Sequence, residues 1–274
     1  MKWVKRILLS LAALVVLVLG VIYAWSGMII NREYAAESRS ILLSSRPDVI
    51  ARGERLAQVF GCYHGCHAED MEGEVFFEGW HIGRIISPNL TRAVDELSTA
   101  ELEAVIRQGV KPDGTSIMAM PSASFAIMTD ADLSAILSFI DSYPRQDLDL
   151  GRSKYGIMPR VLLITGVFEP AAAEVSDTPW TGSVLDDPLK LGEYLAMNAC
   201  SECHGMELEG NEGFSPPLKS VAWAYSLEGF RKLLSTGVGT GGRDLGLMSL
   251  VSEARFSLLT NDEVEALHRF LSSR

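Results

Sequence analysis

All four cysteines of the chain lie in two close pairs, and each pair ends directly before a histidine. The first segment, Cys62–His67, reads CYHGCH, and the second, Cys200–His204, reads CSECH. The pattern constrains the fold, because each segment must hold two thiols and one imidazole around a single bound group.

The second segment has the spacing Cys-x-x-Cys-His, the signature of covalent haem attachment. The two thiols bond the two vinyl groups of one porphyrin, and the histidine gives a nitrogen ligand to the iron. The first segment has three residues between its thiols, and Gly65 gives this longer loop the backbone freedom to reach one ring. We therefore expect two covalent haem c groups, held by Cys62, Cys66, Cys200 and Cys203, with His67 and His204 as iron ligands.

Disulfides and a zinc site are the alternative uses of these residues. An even number of cysteines outside the cytoplasm is compatible with disulfides. Zinc needs four ligands, whereas a Cys₂His set supplies three and the sequence has no second paired motif to complete it. Haem attachment is the preferred interpretation of both segments.

A c-type iron also needs a sixth ligand, and a methionine sulfur gives a higher potential than a second nitrogen. In the second half of the chain, the methionines between the Cys motif and the last predicted helix are Met206 and Met248. Met206 is too close to His204 to reach the opposite face of the ring, which leaves Met248.

The first half offers more candidates for the sixth ligand. Met71 is too close to its motif, so Met118, Met120 and Met128 compete. Met120 is favoured because the rigid ring of Pro121 can fix the loop that presents the sulfur, although such methionines often only fill the core. Met128 is expected to pack at the following helix.

The remaining histidines are weaker candidates. His64 and His81 are rival iron ligands, each less favoured than Met120, and His268 is expected on the surface of a helix. The glycine-rich stretch 237–246 lacks the Lys-Ser/Thr that follows a phosphate loop. It is expected to let the Met248 loop fold round the porphyrin.

A Pro-x-Leu pattern follows each Cys motif. A ligand histidine needs an acceptor for its other ring N–H, and we expect the carbonyl of Pro88 or Pro216 to supply it. Leu90 and Leu218 would then pack on the ring. The alternative is that these are ordinary loop prolines.

The chain contains an internal repeat. Gly53–Ala57 and Gly192–Ala196 precede the Cys pairs, and Thr129–Ile140 resembles Thr260–Leu271. The later segments are predicted to be helices, with the threonines as N-caps and acidic residues in the first turn. Apolar residues recur at helical spacing, namely Leu133, Ile136, Leu137 and Ile140, and again Val264, Leu267 and Leu271.

No long alternating pattern predicts a strand, so each unit is expected to be all-α. The division is an anchor at 1–30, a stalk at 31–48, a first unit at 49–144, a linker at 145–184 and a second unit at 185–274. The linker contains several prolines and is too long for a loop within a compact domain. It is expected to pack across both units.

The anchor is predicted from an uncharged apolar run of 19 residues, Ile7–Trp25, that follows a short basic stretch. Such a helix approaches the thickness of the hydrocarbon core of a bilayer. The bases place the N-terminus in the cytoplasm and the rest of the chain outside. The alternative is a cleaved signal peptide with a weak site at Ala24–Ser26, but the run is longer than the usual signal core.

The net charge of −11 argues against nucleic acid as a partner, because phosphate binding needs a basic face. An acidic body suits a redox partner with a positive docking patch. Solubility alone is the alternative explanation.

At these residues the sequence resembles class I cytochrome c domains in tandem, over about residues 50–143 and 185–274. It is similar to the cytochrome c subunits of membrane-bound dehydrogenases, in which the methionine before a proline is the axial ligand. The resemblance thus implies Met120 as a ligand, with Met248 in the second domain. The matching stretches are Ile86–Thr91, Arg107–Gly114, Met120-Pro121, Gly246–Ser249 and Arg255–Thr260.

The sequence departs from that family in two ways. The first motif has its extra residue, and only two haem sites are present, whereas alcohol- and sugar-dehydrogenase subunits usually carry three. The resemblance implies two all-α haem domains in tandem behind one transmembrane helix, on the periplasmic side of a bacterial cytoplasmic membrane.

The implied function is one-electron transfer between a dehydrogenase or quinol-oxidising complex and a downstream oxidase or cytochrome, so we expect a carrier and not an enzyme. The expected partners are membrane lipid and redox proteins. A peroxidase-like or thiosulfate-oxidising dihaem enzyme is the alternative, and it would need one iron with a displaceable or nitrogen ligand. A third possibility is an assembly subunit whose anchor matters more than its redox activity.

Overall fold

The structure, a computed structural model, describes residues 2–175 and 187–274. Helix α1 (Lys2–Ile30) is long and apolar enough to cross a membrane, and its apolar window is not buried by the rest of the described chain. The C-terminal end of α1 does contact the body. There Ser26 is fully buried and accepts a hydrogen bond of 2.9 Å from Nη1 of Arg160.

The first unit consists of an outer pair of helices and three helices between them. The outer pair is α2 (Pro47–Val59) and α6 (Asp130–Ser142), which pack against each other. Between them lie α3 (Leu90–Glu96), α4 (Thr99–Gln108) and the single turn α5 (Ser122–Phe125).

A β-hairpin inserted into this unit corrects the all-α prediction. Strands β1 (Glu74–Gly79) and β2 (Gly83–Ser87) pair antiparallel, with Val75 opposite Ile86. Their β-branched and aromatic side chains favour a pleated strand. The pattern was missed because the strands are short and a bulge after Val75 interrupts the alternation.

The linker also has structure in its described part. Strand β3 (Lys154–Tyr155) adds to β2, and α7 (Ile157–Ile164) packs on α1. The turn α8 (Ala171–Glu174) is tied to the first unit, because the backbone N–H of Ala171 donates to the carbonyl of Ile117.

The contacts described for residues 145–175 thus join the linker to α1 and the first unit. The expectation that the linker packs across both units stays a prediction, because its last part lies outside the described residues. The rest of the predicted linker, including Pro179, and the first residues of the predicted second unit fall in 176–186, outside the described residues.

The second unit repeats the plan of the first. Helix α9 (Pro188–Leu195) continues through a π-helical turn, Ala196–Cys200, into the short α10 (Ser201–His204). The later elements are α11 (Leu218–Ala224), α12 (Leu227–Thr236), the two-residue strands β4 (Val238–Gly239) and β5 (Arg243–Asp244), α13 (Leu247–Ala254) and α14 (Asn261–Ser273).

The outer helices of both units cross at a glycine. A Cβ on Gly53 of α2 would lie 1.9 Å from the carbonyl oxygen of Ala135 in α6. A Cβ on Gly192 of α9 would lie 2.1 Å from the carbonyl oxygen of Ala266 in α14. The helices approach so closely that only glycine fits at either crossing.

The closing helices α6 and α14 form as the sequence predicts. The hydroxyls of Thr129 and Thr260 accept hydrogen bonds from backbone N–H groups in the first turn, as N-caps do. All seven predicted apolar positions are buried, with exposed fractions of 4% or less.

The two units share one hydrophobic core and several polar contacts. The hydroxyl of Tyr194 donates to Oδ2 of Asp132 at 2.7 Å. Arg55 of α2 forms a bidentate ion pair with Glu263 of α14, with Nη1 2.8 Å from Oε2. The units are therefore packed against each other, and their Cys motifs lie at the junction.

Candidate functional site

Each Cys motif directly follows the first outer helix of its unit. In the first unit, the N–H of Cys62 donates to the carbonyl of Ala57 at 2.8 Å and that of Cys66 donates to Gly61 at 2.7 Å. The extra residue is accommodated at His64, which takes a left-handed φ of 49°. In the second unit, the motif continues the helix through the π-helical turn and α10.

Both motif histidines have the same hydrogen bond. Nδ1 of His67 lies 2.8 Å from the carbonyl oxygen of Pro88, and Nδ1 of His204 lies 2.8 Å from that of Pro216. A carbonyl oxygen only accepts, so Nδ1 carries the proton and Nε2 keeps its lone pair. Burial lowers the pKa of both imidazoles, which favours the neutral form that binds metals.

The loops after the two histidines also close in the same way. Met71 and Leu208 are buried in the left-handed region, with φ of 60° and 58°. Their carbonyls accept from the N–H of Leu90 and of Leu218, at 2.9 and 3.0 Å respectively. Leu218 is buried and Leu90 is half-buried against the core. The same frame therefore holds each histidine, although it joins residues 21 positions apart in the first unit and 12 in the second.

All four cysteines are half-buried, and none forms a disulfide in the part of the chain that the structure describes. Burial raises the pKa of Cys62 and of Cys200 to about 12, and it also raises the pKa of Cys66 and of Cys203. Nucleophilic thiolate chemistry needs a lowered pKa, so the folded sites do not suit it. Among the described residues, no three His, Cys, Asp or Glu side chains converge as a metal site, which gives the zinc alternative no support.

The methionine candidates differ in burial. Met120 and Met248 are half-buried against the core, whereas Met118 and Met128 are 5% and 4% exposed. Met248 lies in the first turn of α13, and next to it the Ser249 hydroxyl donates to the carbonyl of Gly237 at 2.5 Å. The assignment of Met120 and Met248 as ligands stays a prediction.

The other histidines lie in different surroundings. His64 is exposed beside the ring of Tyr63, and His81 is exposed beside Trp80 at the tip of the hairpin. His268 is half-buried, and its Nε2 lies 2.9 Å from the carbonyl oxygen of Tyr225, which corrects the expected surface position.

Sequence reasoning missed the contacts that the second motif makes with Arg255 and with the first unit. Nη1 of Arg255 lies 2.5 Å from Oε1 of Glu202, a residue inside the second motif. The hydroxyl of Ser201 donates to that of Ser124 at 2.7 Å, on the segment that follows Met120 in the first unit. The available signal in the sequence was a glutamate between the two cysteines of the second motif. Its partner, Arg255, lies 53 residues away in the chain.

The donor set fits a covalent haem c at each motif. Two half-buried thiols precede an imidazole whose Nδ1 is fixed by a carbonyl, and its Nε2 can bind an iron. Each motif adjoins the shared core, which supplies apolar surroundings for a porphyrin.

Comparison with known proteins agrees with this chemistry. Residues 50–144 match the family model for Cytochrome c. The chain therefore contains a cytochrome c domain, which implies a covalently bound haem c.

Three relatives are cytochrome c subunits of dehydrogenases. The alcohol dehydrogenase (quinone) cytochrome c subunits of Gluconacetobacter polyoxogenes and Komagataeibacter europaeus are each 26% identical over 168 residues, covering 55% of this chain and 34% of their own length. The gluconate 2-dehydrogenase cytochrome c subunit of Pantoea cypripedii is 24% identical over 269 residues, covering 82% of this chain and 59% of its own length. The chain thus spans only part of the length of these relatives.

Proposed function

We propose that the chain is a membrane-anchored dihaem cytochrome c that carries single electrons between redox proteins outside the cytoplasmic membrane. The observation that carries the proposal is the repeated histidine geometry: His67 and His204 each direct Nδ1 to a proline carbonyl at the same distance of 2.8 Å. Because the second unit reproduces the frame found in the cytochrome c domain, it is proposed to hold a second haem c.

The chain's own residues would hold and orient the two haems. A bound haem supplies a one-electron iron couple. Cys62 and Cys66 would attach one porphyrin, and Cys200 and Cys203 the other. Nε2 of each histidine would bind one iron.

The sixth ligands and the function class follow from the same sites. Met120 and Met248 are proposed to supply the sixth ligands of the two irons. Two filled ligand sets leave no open position for a substrate, which supports a carrier over an enzyme.

The C-terminal end of α1 supports a retained membrane anchor. The guanidinium of Arg160 stacks 4.4 Å from the centre of the Tyr23 ring and donates to the buried Ser26 hydroxyl. Signal cleavage near Ala24 would remove Tyr23 and this contact. The bases at the start of α1 favour a cytoplasmic N-terminus, with the haem units on the periplasmic side.

The proposed partners follow from the relatives and from the charge. The relatives are subunits of quinone-linked alcohol dehydrogenase and gluconate 2-dehydrogenase, so we propose a membrane dehydrogenase or quinol-oxidising complex as donor. A downstream oxidase or cytochrome would be the acceptor. The acidic body favours a partner with a basic docking patch.

The proposal is tested by counting haems on protein matured in an export-competent host. Intact mass spectrometry of the wild-type chain should find two covalent haems and a retained residue 1–30 segment. Replacing Cys200 and Cys203 by alanine should remove one haem, and replacing Cys62 and Cys66 should remove the other. A wild-type chain with one haem would contradict the dihaem proposal.

A second measurement addresses the ligands. Ferric haem with a methionine ligand has a weak red absorption band, and both Met120→Ala and Met248→Ala should remove part of it. An unchanged band in either variant would reject that methionine as a ligand.

A further inference from the structure

Arg255 contacts the segment that leads into the first Cys motif and a residue inside the second. It is 6% exposed, and its Nε donates to the carbonyl of Val59, the last residue of α2, at 3.1 Å. The guanidinium packs on Gly61, where a Cβ would lie 2.9 Å from Cζ. On its other side, Nη1 pairs with Glu202 between the cysteines of the second motif. A single cation thus links the residue before the first motif to the interior of the second.

The charges of this ion pair reach both attachment sites. Arg255 packs on Gly61, the residue before Cys62, and pairs with Glu202, which lies between Cys200 and Cys203. Both side chains therefore lie within electrostatic range of both motifs. Interactions at such distances are strong in a buried junction, where water screens them little.

The charge of Arg255 is only partly compensated. Its Nη2 is buried and has no hydrogen-bond partner among the described residues. Burying a cation with incomplete pairing costs stability, and a well-packed apolar pair is often at least as stable. Holding the two units together is therefore a weak explanation for this ion pair, particularly because the Arg55–Glu263 pair already joins them.

We propose that Arg255 and Glu202 set the reduction potentials of both haems. This inference rests on the dihaem function proposed above. Reduction adds one negative charge at each iron, so the buried cation raises both potentials and the carboxylate lowers them. Transfer between the two sites oxidises one iron and reduces the other, with no bond or proton exchanged.

The junction also offers a short connection between the sites. The Ser124 and Ser201 hydroxyls are hydrogen-bonded, and they link the segment after Met120 to the second motif. The guanidinium of Arg255 packs on Gly61, directly before Cys62, and pairs with Glu202, between Cys200 and Cys203. The ion pair therefore lies where its field acts on both attachment sites.

The test is spectroelectrochemical titration of the full-length, haem-loaded protein in detergent. Arg255→Gln should shift both midpoint potentials down, and Glu202→Gln should shift both up. The double variant should lie between them. A merely structural ion pair predicts shifts of the same sign in both single variants, because each breaks the same contact.

Matched controls come from the second ion pair between the units. Arg55→Gln and Glu263→Gln break a bidentate pair whose side chains are 26% and 14% exposed, against 7% and 15% for Arg255 and Glu202. The other hydrogen bonds described for this pair involve Leu258 and Thr260 and no residue of a Cys motif, so both potentials should stay near the wild-type values. Arg255→Lys keeps the charge and should hold the potentials near wild type, which separates charge from shape.

The proposal is overturned if Arg255→Gln leaves both potentials unchanged, or if Arg255→Gln and Glu202→Gln shift them in the same direction. If Arg255→Gln does not retain its haems, Glu202→Gln and Arg255→Lys decide, and an unchanged potential in Glu202→Gln rejects the proposal. The titration is interpreted only after a pyridine haemochrome assay has counted two haems in the wild type. A count of one rejects the dihaem function itself, which is a different result from unshifted potentials.

Discussion

The first and second units have the same histidine geometry, although the segments between the motif histidine and the proline differ in length. The path from His67 to Pro88 is 21 residues and includes the β-hairpin, whereas the path from His204 to Pro216 is 12. The first motif also has one more residue between its cysteines. Nevertheless both imidazoles direct Nδ1 to a proline carbonyl at 2.8 Å.

This difference shows which parts of a unit determine the site. The two units share the glycine crossing of the outer helices, the capped closing helix and the left-handed residue four positions after the histidine. They do not share the hairpin or the lengthened Cys loop. The shared parts are therefore expected to be essential for the haem frame, and the unshared parts to be dispensable.

The largest effect is expected at the helix crossings. Gly53→Ala and Gly192→Ala would each place a Cβ about 2 Å from a backbone carbonyl oxygen. Backbone cannot move aside as a flexible side chain does, so each variant should lose about 3 kcal/mol of unfolding free energy or more. Guanidinium unfolding of the haem-loaded protein, followed by circular dichroism, measures the loss.

Gly229→Ala is the matched control for the crossings. Gly229 lies in helix α12, and a Cβ there would meet its nearest neighbour at an ordinary 3.4 Å. This variant should raise stability by up to about 1 kcal/mol, because alanine is the better helix former. Equal effects of Gly192→Ala and Gly229→Ala would show that the crossing is not a close contact.

An intermediate effect is expected where the units meet. Burial raises the pKa of Glu263, but hydrogen bonds from Arg55 and from the N–H of Thr260 outweigh it and leave the pKa below its usual 4.5. The carboxylate therefore stabilises the fold above about pH 4.5, and this contribution is lost as the pH falls through the lowered pKa. Arg55→Gln should cost roughly 1–3 kcal/mol at neutral pH, and the cost should shrink in acid.

Arg269→Gln provides the comparison, because Arg269 lies on α14, the helix that carries Glu263. Its ion pair with Glu265 is about half exposed on both sides, so its loss should change stability by less than about 0.5 kcal/mol at any pH. If Arg55→Gln also left the unfolding free energy nearly unchanged, the packing of the two units would not depend on this contact.

The regular parts of the fold could be predicted because their signals are local. A threonine cap and apolar residues at helical spacing were enough to define α6 and α14. The hairpin was missed because five- and six-residue strands with a bulge leave too little alternation to detect.

The same distinction between local and long-range contacts applies to the site. The acceptor role of Pro88 and Pro216 could be proposed from a pattern repeated close to each motif. The Arg255–Glu202 junction could not, because Arg255 also contacts Val59, which lies 196 residues away. Contacts made only when two units pack leave no trace in local spacing.

A smaller effect is expected at the extra residue of the first motif. His64 has a left-handed backbone, which costs a residue with a Cβ about 1–2 kcal/mol. Glycine would remove this strain, but it also makes the unfolded chain more flexible, which offsets part of the gain. His64→Gly should therefore keep two haems and raise the unfolding free energy by up to about 1 kcal/mol. The optical spectrum and the potentials should not change. A changed spectrum would indicate that His64 is an iron ligand after all.

The smallest effect is expected at the tip of the hairpin, which has no counterpart in the second unit. Trp80 is 89% exposed, and its ring contacts the neighbouring exposed His81. Trp80→Ala should change the unfolding free energy by less than about 0.5 kcal/mol, with both haems retained. Phe139→Ala, at a core position that is 5% exposed, should cost about 3–5 kcal/mol in the same assay. Loss of the first haem in Trp80→Ala would mean that the hairpin helps to hold His67, and the two units would then build their sites by different means.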